Sequence, residues 1–135
     1  MREKSAYGKS LHAYLEAGSK PRETYLQQVA IRSLGEIEML SLNQVSYISS
    51  AGNYVELHTK QGCKLLRVTM NTLEKKLDPQ IFVRIHRAYL VRTTDIVKLS
   101  QFANGAAKLI LSCGIRLAVS RAYLQTVKEI MVDSL

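Results

Sequence analysis

Apolar side chains at every second position leave a segment little choice but a β-strand with one face buried, and this chain repeats that pattern from Gln27 onward. Val29 and Ile31 alternate with Ala30 and Arg32, Val55 and Leu57 with Tyr54, Glu56 and His58, and Leu66 and Val68 with Arg67 and Thr69. The turn sequences "SAGN" at 50–53 and "KQG" at 60–62 divide these runs into two antiparallel hairpins. A third hairpin is expected where Leu109 and Leu111, then Ile115, Leu117 and Val119, flank "SCG" at 112–114.

Two short helices interrupt the pattern. Asn71 followed by Glu74 reads as a capping box ahead of Met70, Leu73 and Leu77 on one face, with Asp78-Pro79 as the stop. Ser120 reads as the N-cap of a second helix, whose stripe is Tyr123, Val127, Ile130 and Met131. The expected class is therefore mainly β with short helices. Upstream, Tyr7, Leu11, Tyr14 and Leu15 sit at helical spacing between Ser5 and Gly18, and "GSKPRE" reads as a linker. This divides the chain into an N-terminal helix and linker, 1–26, and a domain, 27–135.

The 135 residues suffice for one domain that needs no metal or disulfide staple. Only Cys63 and Cys113 are present, without a C-x-x-C pair, so both are expected to be structural bystanders and no metal site is read. No signal peptide or membrane-length apolar run appears, and a cytoplasmic protein without membrane contact is expected. The net charge of +8 is concentrated: residues 80–121 carry Arg84, Arg87, Arg92, Lys98, Lys108, Arg116 and Arg121 against Asp95 alone, a net +6. A basic block inside an apolar-patterned region is the footprint of a polyanion partner.

Within that block, "IFVRIHRAYLV" at 81–91 breaks the alternation. One straight strand fits it poorly. A bend near His86 would turn both apolar groups inward while Arg84, His86 and Arg87 project from the corner, Arg84 pairing instead with Glu56 or Asp95 if it turns inward. The residues alone leave open a duplex DNA binder, an RNA-binding β-domain in which Tyr and Phe stack on bases, and an enzyme. Against the last, no paired carboxylates, G-x-S-x-G or glycine-rich phosphate loop occur, and His12, His58 and His86 are far apart.

Taken in order, "VSYISSAGNYVELHT", "TMNTLEKKL", "FVRIHRAYLVR" and "IRLAVSRAYLQTV" resemble the LytTR family of DNA-binding domains, over about residues 27–131. The resemblance implies elongated antiparallel β-sheets with short helices, and a bacterial transcription regulator or its output domain that carries out no catalysis and needs no cofactor. It also implies that loops enter successive major grooves and that two copies sit on imperfect direct repeats, and a receiver or sensor domain upstream is expected. Its DNA-facing positions fall on Asn53 and Tyr54, on Arg84, His86 and Arg87, and on Ser120 and Arg121. Arg87 and Arg121 are the candidates for guanine edges, Asn53 for adenine, and Ser120 opens a helix N-terminus toward a phosphate. Lys98, Lys108 and Arg116 would be nonspecific phosphate contacts. The chain departs from the family pattern at Arg92, where Asn is usual, and at Ala118, where Pro is common. With its guanidinium free beside Arg84 and Arg87, Arg92 is expected to add a phosphate contact.

Overall fold

The computed structural model of the chain describes residues 24–133, so the helix expected between Ser5 and Gly18 lies outside the described residues. In chain order the elements are β1 (Gln28–Ser33), β2 (Glu36–Ser41), β3 (Val45–Ala51), β4 (Tyr54–Thr59), β5 (Gly62–Leu66), α1 (Met70–Lys76), β6 (Phe82–His86), β7 (Tyr89–Arg92), β8 (Ile96–Gln101), β9 (Ala107–Leu111), β10 (Arg116–Val119) and α2 (Arg121–Asp133). A single turn of 3-10 helix precedes β3 (Leu42–Gln44) and another precedes β8 (Thr93–Asp95). The class is mainly β and every strand pair is antiparallel, as the alternation predicts.

A five-stranded sheet in the order β5-β4-β3-β7-β6 forms the centre. Val45, Ile48, Val55, Leu57, Phe82 and Leu90 point from one face into a first core, closed by Val29, Ile31 and Leu40 of the β1–β2 hairpin and by Met70, Leu73 and Leu77 from α1 and its end. Val83, Ile85 and Val91 point the other way. There they meet Ala107, Leu109, Leu111, Leu117 and Val119 of the three-stranded sheet β10-β9-β8, and Val127 of α2.

This layering explains why "IFVRIHRAYLV" does not alternate. Strands β6 and β7 are sandwiched between two cores, so Phe82 and Val83 are both buried although they face opposite ways. The bend expected at His86 is present: the β6–β7 ladder shifts register between Arg84 and His86, and residues 87–88 form the turn.

Local expectations fail in three places. Strand β5 ends at Leu66, and Val68 reaches the first core from a bend. The cap of α1 is Thr69, whose Oγ1 accepts from the Thr72 amide at 3.2 Å, rather than Asn71. Asn71 and Glu74, three residues apart and thus on one helix face, are turned to Arg84 instead. The β1–β2 turn at Leu34-Gly35 and strand β8 were not expected at all: Ile37, Met39 and Val97 are exposed, which blurs the period of those segments. Thr24 is buried, and the Leu26 amide donates to the Lys76 carbonyl at 2.9 Å, so the described structure is tied to the domain from its first residues.

Candidate nucleic-acid interface

Four connections meet at one end of the central sheet. The β3–β4 turn reverses through Gly52, whose φ of +66° is left-handed and easily adopted without a Cβ, followed by exposed Asn53 and Tyr54. Next to it lies the β6–β7 turn, because the Ser50 amide donates to the Ala88 carbonyl at 3.0 Å. The start of α2 is held against the same strand pair by the Ser120 amide, which donates to the Ile85 carbonyl at 2.9 Å. Last comes the β8–β9 turn at 103–106. A Cβ placed on Gly105 would stand 3.0 Å from Arg121 Nη2, so the guanidinium rests directly on that glycine.

These bonds bring Asn53, Tyr54, His86, Arg87, Ser120 and Arg121 to one end, from three separated stretches of sequence. Arg87 and Arg121 are exposed, Ser120 and His86 half-buried. His86 Nδ1 accepts the Ala88 amide at 3.0 Å, which braces the turn and leaves the neutral ring's proton on Nε2. The Ser120 amide is not open to a phosphate, since Ile85 takes it. The Asn104-Gly105 turn was missed by the motif reading, although Asn-Gly is a strong turn signal in sequence; Asn104 Oδ1 accepts from the Ala106 amide at 3.0 Å.

Arg84 does not project from the corner. It is 7% exposed and its guanidinium is fully engaged: Nε donates to the His86 carbonyl at 2.8 Å, Nη2 to the Arg87 carbonyl at 2.5 Å, and Nη1 to Glu74 Oε1 at 2.6 Å and Asn71 Oδ1 at 3.1 Å. The Tyr123 ring of α2 lies 6.0 Å from its Cζ. Neither Glu56 nor Asp95 is the partner, because β6 lies at the sheet edge beside α1, whereas Glu56 is on β4 beyond β7 and β3. A planar fork suits this position: it spans helix and turn together and holds the carbonyls on either side of Arg87.

Arg92 is likewise committed inward, contrary to the expectation of a free guanidinium beside Arg84 and Arg87. Its Nε donates to the Val45 carbonyl at 2.8 Å, Nη2 donates to the Leu42 carbonyl, and Cζ stacks 4.8 Å from the Phe82 ring. Burial lowers the pKa of this guanidinium, with Asp95 opposing the shift. An Arg here clamps the 3-10 turn before β3 to the end of β7. Arg92→Ala is therefore expected to remove about 2–3 kcal/mol of stability, read from the urea midpoint, while the salt slope of DNA binding stays unchanged; a slope lowered by about one at unchanged midpoint would restore the phosphate contact.

With these two arginines spent, the exposed cations of the basic block are Arg87, Arg121, Lys98, Lys108 and Arg116. The last three lie on β8, β9 and β10, where Lys98 and Arg116 both pair with Ile110, and Lys108 pairs with Ser100 and Ala118. Their side chains stand opposite Leu109 and Leu117, so they form a basic stripe on the outer face of the three-stranded sheet. Ala118 is exposed on edge strand β10, a position where the family's proline would also be tolerated.

The comparisons with known proteins agree with this architecture. The model of the LytTr DNA-binding domain matches residues 35–132. A response regulatory protein of Vibrio cholerae is 33% identical over 106 residues, which is 78% of this chain and 44% of the relative. The transcriptional regulatory protein LytR of Staphylococcus aureus is 28% identical over 102 residues, 76% of this chain and 42% of the relative. The chain thus spans less than half the length of these curated relatives. Among solved structures, the LytTr DNA-binding domain of a methyl-accepting/DNA response regulator from Bacillus cereus has the same fold, with a TM-score of 0.69 at 16% identity over 78% of this chain and 97% of that one. The chain belongs to the LytTr DNA-binding domain family, and is a DNA-binding domain of the kind that transcription regulators carry.

Proposed function

We propose that the chain binds duplex DNA sequence-specifically as the output half of a bacterial transcription regulator, with its clustered loops in the major groove. The observation that carries this reading is the placement of two exposed guanidiniums, Arg87 on the β6–β7 turn and Arg121 on the first residue of α2, which hydrogen bonds hold together at one end of the central sheet. Preorganised arginines pair bidentately with guanine O6 and N7 at low entropic cost. Asn53 is suited to adenine, while Tyr54 and Ser120 reach phosphates through their hydroxyls. His86 positions the corner and presents Nε2–H toward the DNA, and Arg84 supports the same corner from inside.

Two copies on imperfect direct repeats, and a receiver or sensor domain upstream, complete the proposal. Supporting the second is the length of the response-regulator relatives, more than half of which lies outside the matched region. A cytoplasmic site of action follows from a promoter target. Among the described residues no helix is long and apolar enough to cross a membrane.

Selection of bound duplexes from a randomised pool supplies the preferred site. On that site Arg87→Ala and Arg121→Ala are each expected to cost about 1–3 kcal/mol, and much less on random duplex, because base readout is lost. Equal losses on both duplexes would make them phosphate contacts. A preference for single-stranded RNA in competition, or turnover of labelled duplex, would overturn the function itself.

A further inference from the structure

We propose that Glu56, His58 and Cys63 form a binding site for a divalent cation of the zinc class on the central sheet, apart from the DNA-facing loops. Ligand atoms of the three side chains lie within 4.8 Å of one another. Cys63 has no C-x-x-C partner in the sequence. The ladder supplies what spacing does not: His58 on β4 is directly opposite Cys63 on β5, and Glu56 is two residues back on the same strand, hence on the same face.

That face lies over the β4–β5 half of the sheet, beside the second core rather than under it. Glu56 and His58 are half-buried, Cys63 is exposed, and neighbouring Leu65 is 51% exposed, so an ion can enter from solvent. The imidazole is held in place. Tyr47 stacks on it with ring centroids 4.0 Å apart and planes within 4°. Ser49 Oγ lies 2.9 Å from His58 Nε2 and donates to Glu56 Oε1 at 3.0 Å, so one hydroxyl links two of the three ligands. An ion at Nε2 would displace Ser49 from that nitrogen and leave its bond to Glu56 as the contact that orients the carboxylate.

Glutamate oxygen, imidazole nitrogen and thiolate sulfur are all zinc donors, and tetrahedral bond lengths near 2.0–2.3 Å put donor atoms roughly 3.3–3.8 Å apart. His58 Nε2 and Glu56 Oε1 already stand at 3.8 Å. With all three ligand atoms within 4.8 Å of one another, Cys63 on the rim has to close by about 1 Å to reach that spacing. Binding would require Nε2 to be unprotonated, the imidazole proton moving to Nδ1, and the Cys63 thiol to lose its proton to solvent. Three protein ligands leave the fourth position to water. Because the site ties β4 to β5 on regular strands, the ion would stabilise the hairpin whose far end carries Asn53 and Tyr54.

The test is titration of the untagged full chain, kept reduced, with Co²⁺ and Zn²⁺ alone. One Co²⁺ per chain is expected, with tetrahedral visible bands and a sulfur-to-cobalt charge-transfer band in the near ultraviolet that Zn²⁺ bleaches. Cys63→Ser should abolish the charge-transfer band, and His58→Gln should weaken binding by more than the roughly 10–100-fold that loss of an outer partner costs. Cys113→Ser should change neither. Zn²⁺ should also raise the urea midpoint of the wild type and not that of Cys63→Ser, a readout independent of DNA. Octahedral cobalt spectra, or binding equally strong in Cys63→Ser and His58→Gln, would overturn the site. Loss of duplex binding in the Arg87 and Arg121 variants bears only on the DNA interface.

Discussion

Arg84→Ala is expected to lose about 3–5 kcal/mol of folding stability, a large share of the roughly 5–15 kcal/mol that holds a domain of this size together. The guanidinium is 6% exposed as a side chain, and it satisfies the His86 and Arg87 carbonyls while pairing with Glu74. Removing it leaves the turn carbonyls without their charged donor, empties space beside Tyr123 and releases α1 from β6. Arg84→Lys should recover little, since an ammonium cannot span both carbonyls and the Glu74 carboxylate in one plane. Glu74→Gln should cost less, about 1–2 kcal/mol, because the Gln carbonyl can still accept from Nη1 although the buried guanidinium loses its countercharge. Urea unfolding of the three variants checks this. An Arg84→Ala protein with a wild-type midpoint and lost DNA affinity would return Arg84 to the role its place in "RIHR" implies, a direct DNA contact.

The second large effect is on binding. If all five exposed cations of the basic block neutralise phosphates, the log-log salt slope per bound copy is about −4.5, and affinity drops about 500-fold between 50 and 200 mM salt. Counting all seven cations from sequence would give a slope near −6. Arg84 and Arg92 account for the difference, because their charges are already compensated by carbonyls and carboxylates in the free protein. Scrambled duplex should show a similar slope at weaker affinity. A slope near zero on both would remove the electrostatic basis of the interface and leave the clustered loops without a polyanion to grip.

Local sequence was a good guide wherever one covalent neighbourhood decides the outcome. Gly52-Asn53 turns because Gly takes a positive φ cheaply, Asp78-Pro79 ends α1 because Pro cannot continue it, and the "SCG" hairpin follows from the alternation on either side. The same reasoning failed where two local solutions compete. Thr69 and Asn71 can each cap a helix, and the choice fell to Thr69 because Asn71 has a distant partner in Arg84.

The sequence by itself determined the strand period, the bend in "IFVRIHRAYLV", the concentration of positive charge and the likeness to one family of DNA-binding domains. It could not sort the arginines. Arg84 and Arg87 share a corner and differ by three positions, yet one is buried under four hydrogen bonds and the other faces solvent. Nor could it fix the register of the 60–62 hairpin that sets His58 directly opposite Cys63 with Glu56 on the same face. Whether a cation is free, and whether a thiol has ligand neighbours, depends on which carbonyls, carboxylates and rings the packed layers bring against it. Those contacts depend on the exact ladder register and on which layer packs against which, from neighbours across a turn to Val45, 47 residues from Arg92, so only the tertiary structure decided them.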